Sequence, residues 1–203
     1  MKPLTLSAHE VRAVLDGTKT QHWMPLRNPE YYGCPTGDCP HNYQAECNAA
    51  MMAIAPQAVG FAPGDQIWVR EACYIAPVGW TDSPVNPKGA WHQEVAYVAD
   101  DRSGYTKEAA RDYGLKLRGA VTMPRWASRI TLDVTWVRVC RVQDVTSANA
   151  IASGFPAYAN SATIDSDTPD PRDDFKRNWI ARHGPASWDA NDWCAVVDFE
   201  RRW

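Results

Sequence analysis

Apolar positions fall at helical spacing in the stretch LTLSAHEVRAVLDG (residues 4–17), where Val11, Val14 and Leu15 share one face. Ser7 and Glu10 have the spacing of a capping box, in which each side chain satisfies the other residue's free amide. Gly17 suits the left-handed position that ends a helix. The pattern predicts a short strand entering a helix, with Lys19 to Trp23 leaving it as loop or strand. Further on, PGDQIWVREACYIA (63–76) turns at Pro63-Gly64-Asp65 and then alternates, with Ile67 and Val69 on one face and Trp68 and Arg70 on the other. The strongest strand signal is SRITLDVTWVRVCRVQDV (128–145), β-branched throughout with a period of two.

Weaker patterns complete the order of elements. HQEVAYVAD (92–100) reads as a strand, and 101–120 as a polar connection, partly helical. TSANAIASG (146–154) reads as a short helix capped by Thr146 and stopped at Gly154. DDFKRNWIARHG (173–184) reads as a helix with acids at its start and Arg182 and His183 at its end, as the helix dipole favours. DWCAVVDFERRW (192–203) closes as a strand. Residues 155–172 are rich in Asp, Pro and Ser and read as loop, their aspartates solvated rather than metal-binding. Strands separated by turns, with a few short helices and no repeat, predict one α+β domain over 1–203 built around a small barrel. Insertions are expected at about 27–62 and 74–120.

Composition narrows this picture. The chain has 203 residues, 45% hydrophobic and 22% charged, enough for one core. A net charge of −3 removes any global field for nucleic acid, so such a role would need a local basic patch. Ten tryptophans are the oddity; most are expected in packing, the rest free to stack on a base. The opening MKPLTLSAHEV has no apolar stretch of the signal-peptide kind, and no run nears the ~18 apolar residues of a membrane span. A reducing cytoplasm is the expected compartment, where six cysteines would not form a disulfide framework.

Four of the candidate groups fall in CPTGDCPHNYQAEC (34–47). Cys34, Cys39, His41 and Cys47 supply three thiolates and an imidazole, a full tetrahedral set for a structural zinc that would order an otherwise coreless loop. The alternatives are a loop of unpaired thiols, or His22 as fourth ligand in place of His41. MPRWASR places Arg125, Trp126 and Arg129 just before the strongest strand: cations for phosphate and a ring for stacking, or a buried Trp with arginines paired to acids. Glu71, after Arg70, can read an exocyclic amine or simply pair with Arg70 or Lys19. Lys19 is a pocket amine or a solvated lysine, and His22 a base, a ligand or a loop histidine.

Taken together, VRAVLDGTKTQ, PGDQIWVRE, MPRWASRITLDVTWVRVCRVQDVT and the ending NWIARHG…W…NDWCAVVDFER resemble the ASCH-domain proteins of phages and prophages, in the PUA-like superfamily. The resemblance implies a mixed, curved β-barrel whose cleft faces RNA or a nucleobase. It implies a catalytic lysine, threonine and glutamate in those relatives that remove the acetyl group from N4-acetylcytidine. Lys19 matches the lysine, while His22 stands at the threonine's place, Ser153 at the glutamate's, and Trp23 and Met24 where an arginine is usual. Three functions follow as expectations. The first is recognition of RNA or a modified nucleobase or nucleoside, using Lys19, His22, Arg70, Glu71, Arg125, Trp126 and Arg129. The second is an amidohydrolase on a modified cytidine-like base, with Lys19, His22 and Glu71 catalytic. The third is a phage accessory protein that binds a host protein in the host cytoplasm.

Overall fold

A computed structural model describes residues 1–26, 55–57, 59–75, 95–100, 105–112, 114–157 and 169–202. The predicted first helix forms as α1 (Ala8–Leu15), entered from strand β1 (Lys2–Thr5). Its capping box is complete: Ser7 accepts from the Glu10 amide, and the Glu10 carboxylate accepts from the Ser7 amide. Past Gly17, at a φ of 76°, the chain becomes strand β2 (Gln21–Pro25). The 63–76 segment divides into β3 (Gln66–Arg70) and β4 (Cys73–Ile75) rather than running on as one strand. β5 (Val95–Tyr97), helix α2 (Tyr105–Asp112) and β6 (Lys116–Arg118) follow.

β7 (Thr131–Arg141) takes the strongest strand signal, with a bulge between Val134 and Trp136. α3 (Ser147–Ala152) is capped by Thr146 as expected, and α4 (Pro171–His183) starts earlier than its acidic residues suggest, capped by Asp170. A short α5 (Pro185–Asp189) leads into β8 (Trp193–Arg202).

Five strands form one sheet in the order β1-β3-β7-β8-β2, parallel only between β1 and β3. Three more form a second sheet, β5-β4-β6. The architecture is therefore mixed α+β, but no closed barrel forms among the described residues. Among the described residues β1 pairs only with β3 and β2 only with β8, so both are edges of the sheet. Helix α1 carries the chain from β1 at one edge to β2 at the other and packs Val11 and Val14 on one face of the sheet. The expected insertion at about 74–120 is more than a loop, since it supplies the partners of β4 in the second sheet.

The alternation read from the sequence decides the two cores. Ile67, Val69, Leu132, Val134, Val137 and Phe199 point to the side where Val11 and Val14 of α1 pack. On the other side Trp23, Val196 and Cys194 pack beneath Phe175 and Trp179 of α4, with Val145 and Ala150. The β2 edge thus lies between α1 on one side and α4 on the other. No described helix is long and apolar enough to cross a membrane.

Candidate functional site: a buried charge cluster at the β2 edge

Five polar or charged side chains are buried among the described residues, and Glu10, Lys19, His22 and Ser153 line one chamber while Glu71 lies elsewhere. Such groups leave water at a cost unless paired, so four in one place form a built feature rather than chance. Local backbone rules bring them together. The amides of Thr18 and Lys19 both donate to the carbonyl of Ala13 at 2.9 Å, which folds the chain tightly off the end of α1. Lys19 then bridges to Ser153, and the Thr20 amide donates to the Ala152 carbonyl at 2.8 Å. Gly154 permits this approach: it sits at φ +95°, and a Cβ there would lie 2.8 Å from the Ala13 Cβ and 3.3 Å from the Lys19 Cβ.

The Glu10 carboxylate is the hub. It accepts from the Ser7 amide and hydroxyl at 2.9 Å each, and Arg182 at the end of α4 donates to both its oxygens. Its Oε1 is 3.6 Å from Lys19 Nζ and 3.5 Å from His22 Nδ1. Burial alone would raise this carboxyl, but His22, Lys19 and Arg182 outweigh it and hold it well below the usual carboxylate range. Burial pulls the Lys19 amine down to about 8, with Glu10 opposing and Arg182 adding to the fall. Burial lowers the His22 imidazole too, against its hydrogen bond with Glu10, so the ring is neutral at pH 7. Assigning its proton to the Nδ1 that faces Glu10 leaves the lone pair on Nε2. Two cations then face one carboxylate, and the cluster is net positive.

Lys19 Nζ also donates to the carbonyls of Gln21 at 2.7 Å and Ser153 at 2.9 Å. With Glu10 as third neighbour, its N–H groups are all directed at protein oxygens, and no lone pair faces the chamber. The Ser153 hydroxyl turns back to the Asn149 carbonyl at 2.8 Å. Aromatic rings complete the walls: Trp23 meets Phe175 edge-on at 5.2 Å, and Phe155 meets the same ring at 5.9 Å. The chamber has a volume of about 30 Å³. Phe155 also walls a groove of about 640 Å³ along α1, bordered by His9, Arg12 and Thr18.

The other sequence-derived candidates do not join this cluster. Arg129 donates to both Glu71 oxygens at 2.9 and 3.0 Å, and to both Asp100 oxygens at 2.8 Å, while lying 3.8 Å over the Tyr97 ring. That clamp joins the segment before β7 to the residues flanking the second sheet, with Glu71 and Arg129 holding each other. The partner of Glu71 is Arg129, and among the described residues it shares no hydrogen bond or ion pair with Lys19 or His22. Arg70 and Arg125 lie over the Trp68 ring at 4.9 and 5.7 Å, with Arg125 touching Met1 and Trp126 exposed. Cys34, Cys39, His41 and Cys47, the expected zinc set, lie outside the described residues. Among those described, no group of His, Cys, Asp or Glu is arranged to hold a metal.

Sequence reasoning missed Glu10 and Arg182 as site residues, reading one as a cap and the other as a partner of the helix dipole. A signal for Glu10 existed: it lies four residues before Val14 and so shares that core-facing side of the helix. No protein-family model, curated protein or solved structure matches the chain.

Proposed function

We propose that the protein recognises a modified nucleobase or nucleoside, free or within RNA, at the β2-edge cleft, as an ASCH-type member of the PUA-like proteins. The observation that carries this is the buried Glu10–Lys19–His22–Arg182 cluster, walled by aromatic rings and set beside an open groove. A flat, polar-edged ligand needs that combination: rings to stack on, and a few fixed polar groups to read its edge. The groove's volume of about 640 Å³ is within the range of small-molecule sites. Recognition is favoured over hydrolysis because Lys19 Nζ already donates to the carbonyls of Gln21 and Ser153 and lies 3.6 Å from the Glu10 carboxylate, contacts that hold the amine in its protonated form.

One feature favours a second reading, an amidohydrolase. His22 is neutral with Nδ1 directed at a carboxylate, the orientation of a general base. The test is incubation with a panel of acylated, methylated and unmodified nucleosides, read by equilibrium binding and by mass spectrometry of products. Saturable binding without product, weakened at least tenfold in Lys19→Met, is the expected outcome. Product formation that His22→Gln abolishes would replace recognition with hydrolysis.

A further inference from the structure

Arg70 and Arg125 lie over one ring, that of Trp68, and neither joins an ion pair among the described residues. The acids of the adjoining elements are engaged elsewhere, Glu71 and Asp100 by Arg129 and Asp133 by Arg202. Trp68 and Arg70 occupy the face of β3 opposite Ile67 and Val69, whose side packs on α1. Arg125 comes to the same ring from the short helical turn Arg125–Ala127 that precedes β7. The Trp68 ring is buried and so forms a fixed floor, while Arg125 and the next residue, Trp126, are exposed. Residues 114–132 include no Asp or Glu, and Lys116 and Arg118 of the exposed β6 add two cations to that stretch. In a chain of net charge −3, this is the local basic patch that a polyanion needs.

We propose that this surface binds single-stranded nucleic acid, with Arg70 and Arg125 on its phosphodiester groups and Trp126 stacked on a base. A guanidinium held over an indole is positioned by the ring and still has N–H donors to give, in a planar fork that matches two phosphate oxygens. Two like charges gathered over one ring repel each other, and an anion set against both relieves that repulsion. The exposed indole of Trp126 then selects among polyanions. Carboxylate chains and inorganic polyphosphate have no flat face to lay on it, and the bases of a duplex are already stacked on each other. In the large sheet β7 and β8 stand between β3 and β2, so the ligand of this surface need not be the one held at the β2-edge cleft.

Fluorescence anisotropy of labelled oligouridylate, oligoadenylate and oligothymidylate with the full chain, between about 50 and 200 mM salt, tests this. Binding is expected to weaken as salt rises. Arg70→Gln and Arg125→Gln should each flatten the slope of log affinity against log salt by about 0.7, the share of one phosphate contact on a single strand. Trp126→Ala should weaken binding by about tenfold and leave the slope unchanged, because stacking releases no counterion. Unlabelled duplex DNA, polyglutamate and inorganic polyphosphate, matched in charge, should compete poorly. No binding at the lowest salt, or binding that these substitutions leave unaltered, overturns the proposal. So does effective competition by polyglutamate or polyphosphate, which would make this a surface for any polyanion, and so does competition by the duplex. A complex indifferent to Trp126→Ala likewise overturns it. Arg125 and Trp126 are exposed, so these two positions carry the test even if Arg70→Gln does not fold.

Discussion

Lys19 is a charged side chain 3% exposed, and its titration links the cleft to the stability of the fold. An exposed lysine amine titrates at 10.5, and burial brings Lys19 down to about 8 in the folded protein. A folded-state value below the unfolded one means that the unfolded chain binds the proton first as pH falls. The Lys19 contribution is therefore present above 10.5 and lost as pH falls through about 8. Glu10 and His22 are shifted in the same direction, so acidification below their ordinary ranges also works against the fold. Urea unfolding at pH 7.5, 8.5 and 9.5 on the unaltered protein and Lys19→Met checks this. The stability of the unaltered protein relative to the variant should rise by about 2 kcal/mol between pH 7.5 and 9.5. A difference independent of pH would mean that Lys19 keeps an ordinary amine.

At the level of elements, the cleft depends on α1 and α3 approaching each other through two small residues. Ala13 on α1 faces Gly154, just beyond α3, and the Lys19–Ser153 bridge runs beside this contact. Gly154→Ala puts a methyl group 2.8 Å from the Ala13 Cβ in a backbone conformation that side chains rarely adopt. It should cost about 1–3 kcal/mol in chemical denaturation and also weaken ligand binding, because the strand carrying Lys19 must shift. Ala13→Gly in the same chain removes the steric contact but not the φ strain, so partial recovery is expected. Full recovery would show that steric contact alone sets the cost.

The same elements show what the sequence made legible. Each long periodic stretch formed its predicted element: Val11 and Val14 on α1, Ile67 and Val69 on β3, and the β-branched run of β7. Periodicity reports which face is buried, and local caps report where a helix starts, so both survive without knowledge of distant contacts. The second sheet was not legible, because β4 pairs with β5 and β6, short segments that lie well along the chain from it. Lys19 and His22, both read from the sequence as pocket candidates, lie in one chamber, His22 on β2 and Lys19 just before it. Arg182 was not, because a helix C-terminal arginine satisfies the dipole equally well in solvent or against Glu10.

Across the whole molecule, the two sheets are held to each other by the Arg129 clamp and by the packing of Met123 and Ala127 over Cys73 and Ile75. The Glu71 side chain is 2% exposed, so removal of its arginine leaves a buried carboxylate without its cation. Arg129→Ala should cost about 3–5 kcal/mol in urea unfolding, and replacing Glu71 and Arg129 together by leucine should restore most of it. If the double variant were as unstable as the single one, the sheets would depend on this ion pair for more than charge balance.

The strand order also sets a timetable for making the protein. The middle of the large sheet is built from β7 and β8, the last long strands in the sequence, while β1 and β2 form its two edges. On the ribosome, α1 and β2 emerge well before β8, the strand that pairs with β2 among the described residues. Until residues 193–202 leave the exit tunnel, His22 and Trp23 sit on an unpaired apolar edge, open to chaperones and to other nascent chains. The buried cluster around His22 therefore cannot form before this segment is translated, and any pause ahead of it lengthens the time that edge stays unguarded.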